Sequence, residues 1–102
     1  MATASEGQVF SNVSTNQGPF NLKGGRYLVE MIATWNSGNI TLDALGPDGT
    51  TFLTVNTLSG GTSGAAKLSA NGTFVVDLPP GEYRFTITTA TAAYLALASV
   101  PG

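Results

Sequence analysis

Residues 25–35 read Gly25-Arg26-Tyr27-Leu28-Val29-Glu30-Met31-Ile32-Ala33-Thr34-Trp35. Tyr27, Val29, Met31, Ala33 and Trp35 fall on one side of an extended chain and are all apolar, while Leu28, Glu30, Ile32 and Thr34 alternate with them and are mixed. A period of two with one wholly apolar side is what a strand packed on a core requires. Beyond it, Asn36-Ser37-Gly38-Asn39 has turn chemistry, and residues 40–45 return with Ile40, Leu42 and Ala44 on one face, so the two segments read as a hairpin.

The same period runs through the rest of the chain. Gly46-Pro47-Asp48-Gly49 predicts a turn, because Pro presets φ at its own position and Asp and Gly tolerate the turn conformations at the next two; a β-branched strand resumes over 50–55. Residues 56–64, rich in Gly, Ser and Thr, read as a mobile loop and 65–70 as a short strand. A strand over 73–78 stops at Pro79-Pro80-Gly81, residues 82–88 alternate Tyr83, Phe85 and Ile87 with polar positions, and 93–100 form the last strand after a turn at 89–92. Apolar residues nowhere recur at helical spacing. The class is all-β: an antiparallel sandwich of about seven or eight strands, with jelly-roll or immunoglobulin-like Greek-key topology.

Two features organise these strands. Gly25-Arg26-Tyr27-Leu28-Val29-Glu30-Met31 is echoed by Gly81-Glu82-Tyr83-Arg84-Phe85-Thr86-Ile87, each with an expected hairpin return after it, as suits two similar halves. Leu78, Pro80, Gly81 and Tyr83 have the spacing of a tyrosine corner, whose hydroxyl bonds back to nearby backbone where the chain changes sheet. Residues 1–18 differ: the apolar anchors Val9, Phe10 and Val13 stand among Ser, Asn, Thr, Gln and Gly. This stretch reads as an edge strand or as an extended N-terminal arm docking on a neighbour. Residues 19–102 then form a single sandwich domain.

Composition restricts the chemistry. With no Cys and no His, disulfides, thiolate nucleophiles, the usual zinc sites and Ser-His-Asp catalysis are excluded, and no cofactor or metal is expected. Lys23, Arg26, Lys67 and Arg84 are the only cations against six acids, a net charge of −2, which argues against nucleic acid as partner. No basic leader or long apolar run is present, so the expectation is a protein made in the cytoplasm with no membrane partner. Charged residues are 10% of the chain, and such a surface resists association poorly, which points to an assembly.

The acids Glu6, Glu30, Asp43, Asp48, Asp77 and Glu82 are isolated in sequence and read as solvated charges rather than a glycosidase pair, so no enzyme is expected. Asp48 reads as a turn residue before a Ca²⁺ ligand, and Lys23-Gly24-Gly25-Arg26 as a turn rather than a phosphate loop. Trp35, Tyr27, Tyr83 and Tyr94 lie at alternating positions where core aromatics belong, with a sugar-stacking platform as the other reading.

Gly24-Gly25-Arg26-Tyr27 leading a long strand, Leu45-Gly46-Pro47-Asp48-Gly49-Thr50-Thr51-Phe52 at a central turn and Val76-Asp77-Leu78-Pro79-Pro80-Gly81-Glu82-Tyr83-Arg84 before the last strands resemble small capsid-associated proteins of tailed bacteriophages. The resemblance covers residues 18–100. It implies a decoration, or cement, protein on the capsid exterior of the virion, often a trimer, that holds neighbouring major capsid subunits together, and it carries no catalytic motif. The same turns and corner also resemble bacterial carbohydrate-binding and pre-peptidase C-terminal sandwiches. That second likeness implies a surface glycan as ligand.

Overall fold

The structure, a computed structural model, describes residues 7–60 and 64–100. Ten stretches of strand are seen among them: β1 (Gly7–Val13), β2 (Gln17–Leu22), β3 (Gly25–Thr34), β4 (Asn39–Leu45), β5 (Phe52–Thr54), β6 (Ser59–Gly60), β7 (Lys67–Leu68), β8 (Gly72–Leu78), β9 (Gly81–Thr88) and β10 (Thr91–Val100). No helix occurs among the described residues. One sheet has the order β1-β10-β3-β8-β6 and the other β2-β9-β4-β5, with β7 added on β4; every pairing is antiparallel. The two sheets pack face to face as a β-sandwich.

The pairings nest. β1 pairs with β10, β2 with β9, β3 with β8 and β4 with β5, so the chain is one long double ribbon folded at the β4–β5 turn. Rolling the ribbon up adds the pairs β10–β3 and β9–β4, which is a jelly roll. The expected hairpin of residues 26–35 with 40–45 is therefore corrected: β3 and β4 lie in different sheets, as do β9 and β10. The cause is local. Asn36 and Ser37 both have positive φ, at 49° and 63°, and Gly38 N–H closes on the Trp35 carbonyl at 2.6 Å, which turns the chain over the end of the core. A Cβ at Gly38 would collide with the Thr88 carbonyl and Thr89, so only Gly allows the two arches to touch. The segment expected to be a mobile loop carries β6, and Leu58 N–H bonds to the Val75 carbonyl at 2.8 Å; residues 61–63 of that segment lie outside the described residues.

The core is drawn from the alternating sets: Leu22, Tyr27, Val29, Met31, Ile40, Leu42, Phe74, Val76, Leu78, Tyr83, Phe85, Ala93, Leu95 and Leu97 are buried. At the side closed by β1 and β2, Phe10, Phe20 and Phe85 meet with ring centroids 5.6–5.9 Å apart, which seals the gap between the sheets with offset and edge contacts.

Two tyrosine corners lie at one end. The Tyr83 hydroxyl donates to the Pro79 carbonyl, and the Tyr27 hydroxyl donates to the Lys23 carbonyl in the same i−4 relation. The second corner has the same frame, Leu22-x-x-Gly25-x-Tyr27 against Leu78-x-x-Gly81-x-Tyr83. The ladders interlock them: Leu22 pairs with Gly81 and Leu78 with Gly25. Gly24 sits so close to the Pro80 ring that an added Cβ would stand 2.8 Å from it. The sequence echo thus marks a pseudo-twofold in the fold, with β2–β3 and β8–β9 as its equivalent halves.

Candidate interaction surface

The outward set of the first sheet is fixed by the strand phase. On β3 it is Arg26, Leu28, Glu30 and Ile32; on β10 it is Tyr94, Ala96 and Ala98; on β1 it includes Val9. Val9 aligns with Ala96, which aligns with Glu30; Tyr94 aligns with Ile32; Ala98 aligns with Leu28, which aligns with Val75 on β8. Val9 is 74% exposed, Ile32 57% and Tyr94 50%, and together with Phe10, Ser11, Glu30, Leu95 and Ala96 they line a shallow depression. Of these, Val9, Ile32, Tyr94 and Ala96 turn apolar side chains outward, beside Ser11 and Glu30. Arg26 is engaged with Asp77 across the β3–β8 ladder at 3.2 Å, which leaves Glu30 as the charge within the apolar area.

The three arm residues are divided. Strand alternation turns Val9 to solvent and Phe10 inward, where its ring joins Phe20 and Phe85; Val13, beyond an irregularity in the β1–β10 register at Asn12 (φ 55°), is half-buried against Ala93. Of the three, Val9 is the exposed one. Residues 7–18 of the expected arm form β1 and enter β2, at the edges of the two sheets; residues 1–6 lie outside the described residues.

The aromatic set is also divided. Tyr27 and Tyr83 are core, and Trp35 is half-buried with its indole N–H on Asn71 Oδ1 at 2.8 Å. Tyr94 is corrected from core to surface. Both alternating sets of residues 93–100 are largely apolar, and the irregularity between Thr91 and Tyr94, with Ala92 at φ 51°, places Ala93, Leu95 and Leu97 inside.

On the outer face of the other sheet, Asp43 is corrected from solvated charge to buried group, at 5% exposure. Its Oδ1 accepts the Thr54 hydroxyl at 2.8 Å and its Oδ2 the Thr86 hydroxyl at 2.6 Å. Arg84 stands opposite it in the β4–β9 ladder, its guanidinium 4.1 Å over the Phe52 ring and its buried Nε without a hydrogen-bond partner. This is a pinned polar cluster joining β4, β5 and β9, and a sequence reading needs the strand register to find it. Asp48 is a turn group: its carboxylate accepts N–H from Thr50 and Thr51 and the Thr51 hydroxyl, and these bonds hold it well below the usual carboxylate range. Lys23-Gly24-Gly25-Arg26 forms the Tyr27 corner.

Among the described residues no three His, Cys, Asp or Glu side chains gather to hold a metal ion, and no helix is long and apolar enough to cross a membrane. In comparisons with known proteins, no family model, no curated sequence and no solved structure matched the chain.

Proposed function

We propose that this chain is a non-enzymatic structural protein of a tailed-phage virion, seated on the outside of the head and binding the major capsid protein. The observation that supports the reading is the apolar outer sheet face around Val9, Ile32 and Tyr94. A contiguous exposed apolar area on a soluble domain marks a contact with another macromolecule. The jelly roll serves both capsid and lectin domains, so the fold leaves the two readings level and the face must separate them. A sugar platform needs several exposed aromatic rings. Here two tyrosines are core and Trp35 is tied to Asn71, which leaves Tyr94, so the face suits an apolar protein contact better than a glycan.

The test has two arms. A mass-spectrometric inventory of purified virions is expected to contain the chain, and emptied heads are expected to bind it with little change between 50 and 200 mM salt, since counterion release has few charges to act through. Ile32→Asp, on an exposed position, is expected to weaken that binding ten-fold or more while leaving the melting temperature in place. Absence from virions, or head binding indifferent to Ile32→Asp, would overturn the reading. Binding to immobilised polysaccharide lost with Tyr94→Ala would replace it with the glycan module.

A further inference from the structure

β3 is the middle strand of the five in the first sheet, and Glu30 stands exposed near its middle. The outward positions around it are apolar on three sides: Leu28 and Ile32 lie two residues away along β3, and Ala96 lies beside it on β10 with Val9 next in line on β1. Tyr94, aligned with Ile32, stands on the diagonal, within reach of a long side chain. On the fourth side Glu30 aligns with Thr73. Among the described residues Glu30 has no hydrogen bond and no ion pair. Arg26 is four residues back along the strand, about 13 Å away, and holds Asp77. Lys23 precedes β3 and is further off, while Lys67 and Arg84 belong to the other sheet, across the core. The chain thus sets a carboxylate at the centre of its apolar face with no cationic side chain of its own to meet it.

We infer that the partner on this face brings a basic side chain that caps Glu30, its charged head on the carboxylate and its aliphatic stem along Ile32 and Tyr94. The inference rests on the reading of the face as the seat of the capsid contact, and it names what that contact contains. Water is excluded most completely at the centre of an interface. A carboxylate covered there without a cation loses its hydration and gains nothing in return, a cost that the apolar contacts around it would have to offset. A cation on the partner turns the same carboxylate into a charge-assisted hydrogen bond and fixes the register of the two surfaces. The depression suits such a side chain. A Lys or Arg stem lies readily along apolar surface while its head reaches the charge, and the half-exposed Tyr94 ring offers its face to a cation. A pair closed off from water is screened little, so the weak salt dependence expected of head binding is kept.

Titration of emptied heads with the full chain and three variants at exposed positions tests it. Glu30→Gln, which keeps the shape and removes the charge, is expected to raise the dissociation constant about ten-fold or more, and Glu30→Lys about a hundred-fold or more, because each leaves the partner's cation covered and unpaired. Both are expected to keep the melting temperature. The sign of the Glu30→Gln effect decides the matter: a partner without the cation would bind the neutral variant as tightly as wild type or more tightly, since a desolvation cost disappears. That result, with Ile32→Asp still weakening binding, would overturn the inference and leave the capsid reading in place. Heads that bind Glu30→Gln, Glu30→Lys and Ile32→Asp all as wild type would overturn both.

Discussion

Removing one oxygen atom tests the corner architecture. Tyr83→Phe keeps a buried ring and deletes the hydroxyl that donates to the Pro79 carbonyl; Tyr27→Phe does the same at the Lys23 carbonyl. Each change removes one hydrogen bond from a buried ring to a carbonyl on an exposed turn residue, where water can take the hydroxyl's place, a loss of about 0.5–1.5 kcal/mol. For a domain of this size each kcal/mol lowers the melting temperature by about 4–8 °C. The corners are not independent, since Gly24 lies against Pro80 and each corner strand pairs with the strand leaving the other corner. Once one is loosened the other holds less, so the double variant is expected to cost less than the sum of the single ones, by about 0.5 kcal/mol or more. Urea unfolding monitored by fluorescence of Trp35, with circular dichroism as a second probe, gives all three values. Unchanged midpoints in both single variants would refute the role assigned to the hydroxyls, and strict additivity would refute the coupling of the two ends.

Asp43→Ala is expected to destabilise by about 2–3 kcal/mol in the same melts, since it strips a charged acceptor from two threonine hydroxyls beside Arg84; a loss below about 0.5 kcal/mol would show the cluster to be solvated. Gly38→Ala is expected to cost about 3 kcal/mol or more, or to abolish soluble expression, because its Cβ has no room beside the Thr88 carbonyl; a normal melt would show that the arches do not touch. Stability is expected to fall at both ends of the pH scale. The depressed Asp48 carboxyl contributes above the ordinary carboxylate range and loses that contribution as pH drops below about 4, so Asp48→Asn should flatten the acid limb. Burial, with the Tyr27 phenol beside it as the smaller cause, pushes the Tyr83 phenol up, so its contribution is full below about pH 10 and is lost as pH rises past it; Tyr83→Phe should flatten that limb.

The strands were legible because alternation is a local property. Tyr27, Val29 and Met31, or Tyr83 and Phe85, declare one buried face without reference to anything distant. The pairing was not legible, because it depends on whether a connection folds back in plane or arches over the core. Non-glycine residues at positive φ, such as Asn36, Ser37 and Thr89, gave no compositional sign of the arches. The Tyr27 corner had a sign, Leu22 five residues before the tyrosine just as Leu78 precedes Tyr83, hidden because Gly24 occupies the place of the second proline. Tyr94 and Asp43 needed information carried by other strands: an irregularity in β10 decides which apolar set faces in, and the register of β4 with β5 and β9 decides that Asp43 meets two threonines.

The nested ribbon has a mechanical consequence. Gly7 lies opposite Ala98, so the outermost strand and the last strand begin and end at the same end of the sandwich, antiparallel to one another. Tension applied between those two points opens the β1–β10 ladder one rung at a time, the weakest way to load a sheet, whereas tension along the strands from opposite ends of the sandwich must shear several rungs together. The sandwich is thus soft to a pull between Gly7 and Ala98 and stiff to a pull along its strands.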